Sequence, residues 1–520
     1  MRSRSARPAD WPGGRTGGMS GLFLGVDIGT SASKGTLARP DGTVFATAAR
    51  PHGVERPHPG WVEQDADGVW WEDFCALCHE LVPLADDDIA GVCCSGLGPC
   101  VLVADANGQP LRPAILYGVD TRAVREIRDL TARLGPGEIL ARCGSPLTSQ
   151  AVGPKLVWLR ANEPEVWEKT AHVFMASSWL VHKLTGEYVL DHHSASQSDP
   201  LYELAANAWI EDWAEEIAPG LSLPRLLWPA DIAGSVTHAA AEATGLAAGT
   251  PVAAGTIDTW AEAASVGVRN PGDMMLMYGT TMFLVEVLSR ARPDDRLWST
   301  ASLFPATHNL SGGMAASGAL TTWFKEIAGG PSYESLIEEA IQSPRGSDGL
   351  VVLPYFAGER APLFDTEARG VICGLNLDHT RGHLYRALLE GTAYGVRHIL
   401  EVMSEAGGTG QRVVAVGGGT KGGLWTEIVS NVIDKPQDLP EVGIGASYGD
   451  AFFAAVATGS SEPGDQWNSV ARRVEPQSEH REVYDDLYTT YRELYPATRR
   501  QVHDLARIQT DGRASSRDDD

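Results

Sequence analysis

The chain contains no run of about eighteen apolar residues, the length a helix needs to cross a bilayer, which excludes a helical membrane span and argues against a membrane partner. It is also short of cations. Lys and Arg number 42 against 67 Asp and Glu, a formal charge of −25. Nucleic acid is therefore not an expected partner, because counterion release needs clustered Lys and Arg. A few local cations suffice for a nucleotide, so phosphate ligands remain open. The first 18 residues carry Arg2, Arg4, Arg7 and Arg15 without an apolar segment, so they lack the pattern of a secretory signal. Residues 1–18 read as a disordered extension, or Met19 is the true start. Cysteine is scarce: seven, an odd and scattered set, fits a reducing cytoplasm. Cys75-Ala76-Leu77-Cys78-His79 formally matches a haem-attachment pattern. It falls, however, on Trp70 to Leu84, where Trp71, Phe74, Leu77, Cys78 and Leu81 recur at helical spacing. It reads as a core helix. Cys93-Cys94 follow an apolar run and read as strand, and no two cysteine pairs have zinc spacing.

What the chain does contain is size and glycine. At 520 residues, with 43% hydrophobic residues and 57 Gly, it has room for two or three domains with sizeable cores. Strands and helices alternate throughout, which predicts an α/β chain with mixed sheets. The tail, residues 506–520, is polar and reads as disordered.

The most telling stretch runs from Gly25 to Lys34. An apolar strand, Leu22 to Val26, stops at Asp27 and is followed by Gly29-Thr30-Ser31, and a second strand resumes at Gly35. The glycine lets backbone approach a ligand, two hydroxyls and successive N–H groups can face phosphate oxygens, and Lys34 stands near as a point charge. Asp27 suits a water-coordinated Mg²⁺. Alone, the segment reads equally well as a hairpin with a polar tip. A near-copy argues for the cradle: Met274 to Tyr278 ends in Gly279-Thr280-Thr281 and a second strand follows. A third glycine turn, Gly417-Gly418-Gly419-Thr420, ends the strand Val413 to Val416 and opens a helix from Leu424 to Val432, whose N-terminus can hold an anion or a nucleoside. Between the two loops, Pro251 to Ile257 delivers one carboxylate, Asp258, at a strand end. The cluster Gly267, Asn270, Pro271 and Gly272 marks a domain boundary near residues 265–273.

Two hydroxylic glycine loops, a nucleoside turn and a carboxylate between them resemble the actin/hexokinase/Hsp70 type of ATP cleft. The finer pattern resembles the FGGY carbohydrate kinases, xylulokinase-like members in particular, over roughly residues 21–460. It rests on Asp27-Ile28-Gly29-Thr30-Ser31, Gly60-Trp61-Val62-Glu63-Gln64-Asp65, Gly153-Pro154-Lys155 through Leu159, and Leu184-Thr185-Gly186-Glu187. Gly255-Thr256-Ile257-Asp258, Tyr278-Gly279-Thr280-Thr281, Gly358-Glu359-Arg360-Ala361-Pro362 and Arg386 through Tyr394 continue the order, which ends with Val416 through Lys421 and Gly445 through Ala451.

The resemblance implies two ribonuclease-H-like domains, residues 19–265 and 266–505, closing over an ATP and sugar cleft. It implies phosphoryl transfer from ATP to a primary hydroxyl, with Asp258 as general base. Gly29, Thr30, Ser31, Lys34, Gly279 and Thr280 would hold the phosphates, Asp27 a hydrated Mg²⁺, and Gly318, Thr322, Gly418 and Gly419 the nucleoside. The sugar side departs from the pattern. Where xylulokinase-like members carry Gln-Met-His-Gly, this chain has Leu97-Gly98-Pro99-Cys100, without the imidazole. Gly98, Pro99, Asp120, Gln150, Asp258 and Thr259 are the expected substrate residues, Asp120 and Arg122 either pairing with each other or reaching the sugar. Asp191 through Gln197, with its two histidines, reads as a loop or strand end and not a metal site. The expected acceptor is a ketopentose such as D-xylulose. A polyol (glycerol, erythritol or a pentitol) is the alternative, since loss of the imidazole suits a substrate without a carbonyl. An actin/Hsp70-type ATPase is more remote, and a silent sugar sensor is disfavoured by the complete phosphate loops. A cytoplasmic, possibly homodimeric enzyme is expected.

Overall fold

The computed structural model describes residues 21–515; the expected N-terminal extension, and with it the Met19 start, lie outside the described residues. The opening strand β1 (Leu22–Ile28) is wholly buried. It returns through a tight loop into β2 (Ala32–Ala38) and then β3 (Val44–Pro51). Parallel to β1 lies β4 (Ile89–Gly96), flanked by β6 (Pro251–Ala253) and β7 (Thr256–Ile257), with β5 (Ile232–Ser235) at the edge. Burial on both faces of β1 and β4 is what a parallel sheet between helices demands. Cys93 and Cys94 sit in β4 as expected.

The second sheet repeats the plan. β8 (Asp273–Tyr278) turns into β9 (Met282–Leu288), then β10 (Trp298–Ala301) and β11 (His308–Met314). β12 (Arg412–Val416) runs parallel to β8, followed by β13 (Gln437–Pro440) and β14 (Val470–Val474). The strand order β3-β2-β1-β4-β6 in one half is matched by β11-β9-β8-β12-β13 in the other. In both, a hairpin lies beside parallel strands, and the hairpin turn is the glycine loop. The expected α/β architecture of two ribonuclease-H-like domains is what the chain adopts.

Helix α1 (Glu72–Leu81) buries Phe74, Leu77, Cys78 and Leu81 against this first sheet, so the haem-like motif is a core helix. Helix α2 is Val152–Asn162. The Asp191–Gln197 segment differs from expectation: it forms a short helix, α3 (His192–Ser196), because the Asp191 carboxylate accepts the Ser194 N–H at 3.1 Å and caps it. Its histidines diverge, His193 Nδ1 to the Ala301 carbonyl at 2.8 Å and His192 Nδ1 to the Tyr202 hydroxyl at 2.9 Å.

Helix α4 (Asp258–Ser265) leaves β7, α5 (Gly318–Ile327) follows β11, and the long α6 is Arg381–Glu405. The glycine turn after β12 does not open the next helix directly. A single 3-10 turn, Gly418–Thr420, intervenes, and α7 (Leu424–Ile433) starts only after Gly423, whose φ of 76° forces a fresh start. Helix α8 (Ala446–Ala457) comes late in the chain yet packs on the first sheet. A Cβ on Gly25 would lie 2.0 Å from the Ser447 carbonyl oxygen, and one on Gly449 1.8 Å from that of Ala261, so both glycines are demanded by backbone contact. The last helix, α9 (Arg481–Ser515), runs on into the segment expected as a disordered tail. Val502 and Ala506 are buried at i, i+4 spacing and His503 Nε2 lies 2.8 Å from the Asp365 carboxylate, so packing holds the helix where polarity predicted none. Among the described residues no helix is long and apolar enough to cross a membrane.

Candidate active site

Each half delivers its glycine loop at the same place, the tip of a hairpin beside the parallel strands. In the first, the Gly29 N–H donates to the Ala32 carbonyl at 3.1 Å and Thr30 and Ser31 occupy the tip. In the second, the Gly279 N–H donates to the Thr281 carbonyl at 3.1 Å. Their supports differ. The first loop is braced by His52, whose Nε2 lies 2.9 Å from the Gly29 carbonyl and whose Nδ1 lies 2.8 Å from the Asp73 carboxylate. Thr30 Oγ1 bonds the Tyr117 hydroxyl at 3.0 Å. The second loop is tied to α5 instead: Ser317 and Gly318 donate their N–H groups to the Thr280 and Gly279 carbonyls at 3.1 and 3.0 Å.

Asp27 ends β1 next to Ser95 of β4, but the Ser95 hydroxyl spends its proton on Asp450 of α8 at 2.6 Å and stands 3.5 Å from Asp27. Asp27 is thus nearly unpartnered. Burial first, then the Asp258 charge, pushes its carboxyl up to about 8, with Lys34 opposing. Asp258 begins α4. Its Oδ1 accepts the Thr259 N–H at 2.6 Å and the Thr259 hydroxyl at 3.2 Å, while Oδ2 has no hydrogen-bond partner among the described residues. Burial lifts its carboxyl to about 6 against those two bonds. A third carboxyl, Glu262, one helical turn on, is raised to about 7 by burial and by Asp258.

Burial and mutual repulsion hold these three carboxyls toward their protonated forms, with Lys34 as the neighbouring cation; a divalent ion would favour their ionised forms, so the cluster fits one. No three His, Cys, Asp or Glu side chains converge at ligating range among the described residues, so an ion here would be held largely through its waters, as Mg²⁺ commonly is.

Among the residues expected to meet the nucleoside, Gly318 approaches so closely that a Cβ would sit 2.4 Å from the Gly279 carbonyl oxygen. Thr322 bonds its hydroxyl to the Gly318 carbonyl and to Tyr333. Gly418 faces open space, whereas a Cβ on Gly419 would meet the Trp425 ring at 2.8 Å. The helix begins at Leu424 as expected, but the 3-10 turn Gly418–Thr420 and Gly423 separate its N-terminus from the strand end.

Of the residues expected to meet the acceptor, Gly98 packs beside Asp258. A Cβ on Gly98 would lie 2.7 Å from Ile257, the residue before the carboxylate, and Pro99 is buried behind it. Gln150 Oε1 accepts the Gly118 N–H at 3.0 Å, and its amide NH₂ has no hydrogen-bond partner among the described residues. Asp120 and Arg122, left as alternatives above, are paired. The Arg122 guanidinium bonds both Asp120 oxygens, one of which also accepts the Val62 N–H at 2.7 Å. At 1% exposure Asp120 does not open to the cleft, so its place in the substrate set is replaced by a structural one. Reasoning from sequence missed His52, Asp73, Tyr117, Ser95 and Asp450. Only Asp450 lay in a matched block, Gly445 through Ala451; the others are single polar residues on strands, helices or loops, brought in by the topology.

The FGGY family of carbohydrate kinases, N-terminal domain, matches residues 22–267, and its C-terminal domain matches residues 274–458. Xylulose kinase of Escherichia coli K12 is 29% identical over 452 residues, 84% of this chain and 90% of its own. Glycerol kinase of Nocardia farcinica is 30% identical over 462 residues, 84% of this chain and 89% of its own. The crystal structure of xylulose kinase from Rhodospirillum rubrum superposes with a TM-score of 0.86 at 34% identity, covering 93% of this chain and all of that one. On this evidence the chain belongs to the FGGY family of carbohydrate kinases.

Proposed function

We propose that the cleft transfers the γ-phosphoryl group of ATP to a primary hydroxyl of a ketopentose, with D-xylulose the leading acceptor. One observation carries the chemistry: the unpartnered Oδ2 of Asp258, its other oxygen clamped by Thr259, in the same half as the first hydroxyl loop. Asp258 takes the acceptor hydroxyl proton as the new O–P bond forms and the bond between the γ-phosphorus and the β,γ-bridging oxygen breaks, releasing ADP. Such a base contributes about 10²–10⁴-fold; positioning and charge stabilisation of the phosphoryl group supply more. Thr30, Ser31, Lys34 and Thr280 hold the phosphates, and Gly318, Thr322, Gly418 and Gly419 border the nucleoside. Mg²⁺, when bound at Asp27 through water, supplies neutralisation of the phosphate charge. Gly98, Pro99, Gln150 and Thr259 border the acceptor. Thr259 acts by holding Asp258, and Gln150 by its amide NH₂.

The ketopentose reading is supported by the relatives named xylulose kinase. The absence of an imidazole at Leu97-Gly98-Pro99-Cys100, together with the relative named glycerol kinase, favours a polyol as the second reading. A panel of ketopentoses, aldoses, aldonates and short polyols, scored by ADP formation, decides between them. Highest kcat/KM on D-xylulose supports the first reading, and on glycerol or erythritol the second. ATP hydrolysis that no acceptor stimulates overturns both.

A further inference from the structure

The sequence block Gly358-Glu359-Arg360-Ala361-Pro362 has no part in the site described so far, although it comes from the C-terminal half and reaches the cleft. Glu359 is 5% exposed, and its Oε1 accepts two backbone N–H groups, from Ala315 at 2.8 Å and from Arg360 at 2.7 Å. Ala315 lies at the end of β11, two residues before Ser317, whose N–H bonds the Thr280 carbonyl in the second glycine loop. The Glu359 carboxylate therefore pins this segment to the second loop and is spent on backbone.

That leaves the neighbouring guanidinium without a partner. The Arg360 side chain makes no hydrogen bond and no ion pair among the described residues, although it is half-buried. Its charged and polar surroundings are Glu359, on its own segment, and Tyr117, from the other half. Tyr117 in turn bonds Thr30 Oγ1 of the first loop and feels the Asp258 carboxyl as well as Arg360. So Arg360 is anchored to one phosphate loop and faces the residue that buttresses the other, near the base. A half-enclosed cation without a counter-ion is costly, and its guanidinium is held below its ordinary pKa by burial. Such a group is suited to an anion that arrives and leaves.

We propose that Arg360 is a catalytic residue that the C-terminal half supplies to the transferring phosphoryl group, donating N–H bonds to its equatorial oxygens while Asp258 receives the acceptor proton. Arg360 gives up no proton itself. It neutralises charge spread over those oxygens as the bond to the β,γ-bridging oxygen lengthens, and a planar fork of donors matches that geometry better than an ammonium. The inference rests on the phosphoryl-transfer reading above.

The test uses the full chain with Arg360→Gln and Arg360→Lys, each checked for an unchanged melting temperature. An arginine of this kind contributes about 10³-fold or more to kcat, so Arg360→Gln loses on the order of 10³ in kcat with KM for the acceptor within about threefold. Arg360→Lys recovers only part of the loss. A second readout is binding. In the wild type, aluminium fluoride with the best acceptor from the panel tightens ADP, because it mimics the phosphoryl group in flight; in Arg360→Gln that gain disappears while ADP alone binds as before. If KM for the acceptor rises with kcat kept, Arg360 belongs to the acceptor pocket and the inference falls. It falls equally if the activity per folded molecule is unchanged or if aluminium fluoride tightens ADP in both proteins. Wild-type protein that forms no ADP with any acceptor overturns the phosphoryl-transfer reading itself, whereas an active wild type with an equally active Arg360→Gln overturns this inference alone.

Discussion

The two glycine loops are alike in length, in hairpin setting and in their position beside parallel strands, yet they are built for different work. Behind the first, two residues before Gly29, stands Asp27; the matching place before Gly279 is Met277. The first loop is held by the side chains of His52, on a backbone carbonyl, and Tyr117, on Thr30, besides the backbone bond from the His52 N–H to the Ser31 carbonyl at 3.0 Å. The second is held from the start of α5, by the backbone N–H groups of Ser317 and Gly318 and by the Ser317 hydroxyl, which donates to the Gly279 carbonyl at 3.1 Å, and the buried Tyr278 hydroxyl just before it is fixed by Gln437 at 2.6 Å. On the proposed reading, the proton acceptor and the magnesium-side carboxylate thus lie in one half, and the frame for the nucleotide in the other. A duplicated fold gives equal geometry; the side chains set on it make the halves unequal.

The largest effect should come from the chemically loaded half. Asp258→Asn keeps the Thr259 bonds and the volume but removes the proton acceptor. The expected outcome is a fall in kcat of about 10²–10⁴-fold with ADP affinity unchanged, measured by acceptor-dependent ADP formation and calorimetry. Retained turnover would move the base elsewhere and break the assignment of chemistry to the first half.

Next is Asp27→Asn. An aspartate that holds the cation through its waters is an outer partner, so the concentration of Mg²⁺ giving half-maximal rate should rise about 10–100-fold. An unchanged magnesium dependence would leave Asp27 as a buried acid without a role in the metal site.

The hydroxyl loops themselves can be compared directly. Thr280→Val removes one bond to phosphate, and kcat/KM for ATP should fall about tenfold. Thr30→Val removes such a bond and also the Tyr117 contact, for about 30-fold. Tyr117→Phe in the Thr30→Val background should add little, and the double-mutant cycle measures that coupling. Equal losses at the two threonines would mean that the loops are interchangeable.

Much of this was legible before any coordinates. The two loops, Asp258 between them and the core helix at Cys75–Cys78 follow from local pattern, because apolar runs and turn residues act within a few positions of each other. The segments that escaped are those fixed by distant partners. The tail became helix through Val502, Ala506 and the Asp365 contact with His503. Asp191 made a helix where a loop or strand end was expected. Helix α8 crosses to the first sheet through Ser447, which bonds Thr36 at 2.8 Å, and Asp450, which bonds Ser95, so a boundary drawn along the chain cannot describe the packing. Asp120 looked like a ligand because its neighbour Arg122 was equally available to it or to a sugar, and only burial decides between the two.

The smallest predicted effect concerns the clamp on the base. Burial raises the Asp258 carboxyl to about 6, and the Thr259 N–H and hydroxyl bonds, which favour the ionised form, hold it from rising further. The base works only when ionised, so kcat/KM should fall as pH drops through about 6. Thr259→Val deletes the hydroxyl bond at 3.2 Å and keeps the N–H bond at 2.6 Å. The charged form loses support, its pKa rises, and the acidic limb should move upward by roughly half to one pH unit, with the plateau rate little changed. A limb that moves downward, or does not move while the plateau collapses, would place Thr259 on the substrate. The asymmetry between the halves would then rest on contacts to the acceptor more than on tuning of the base.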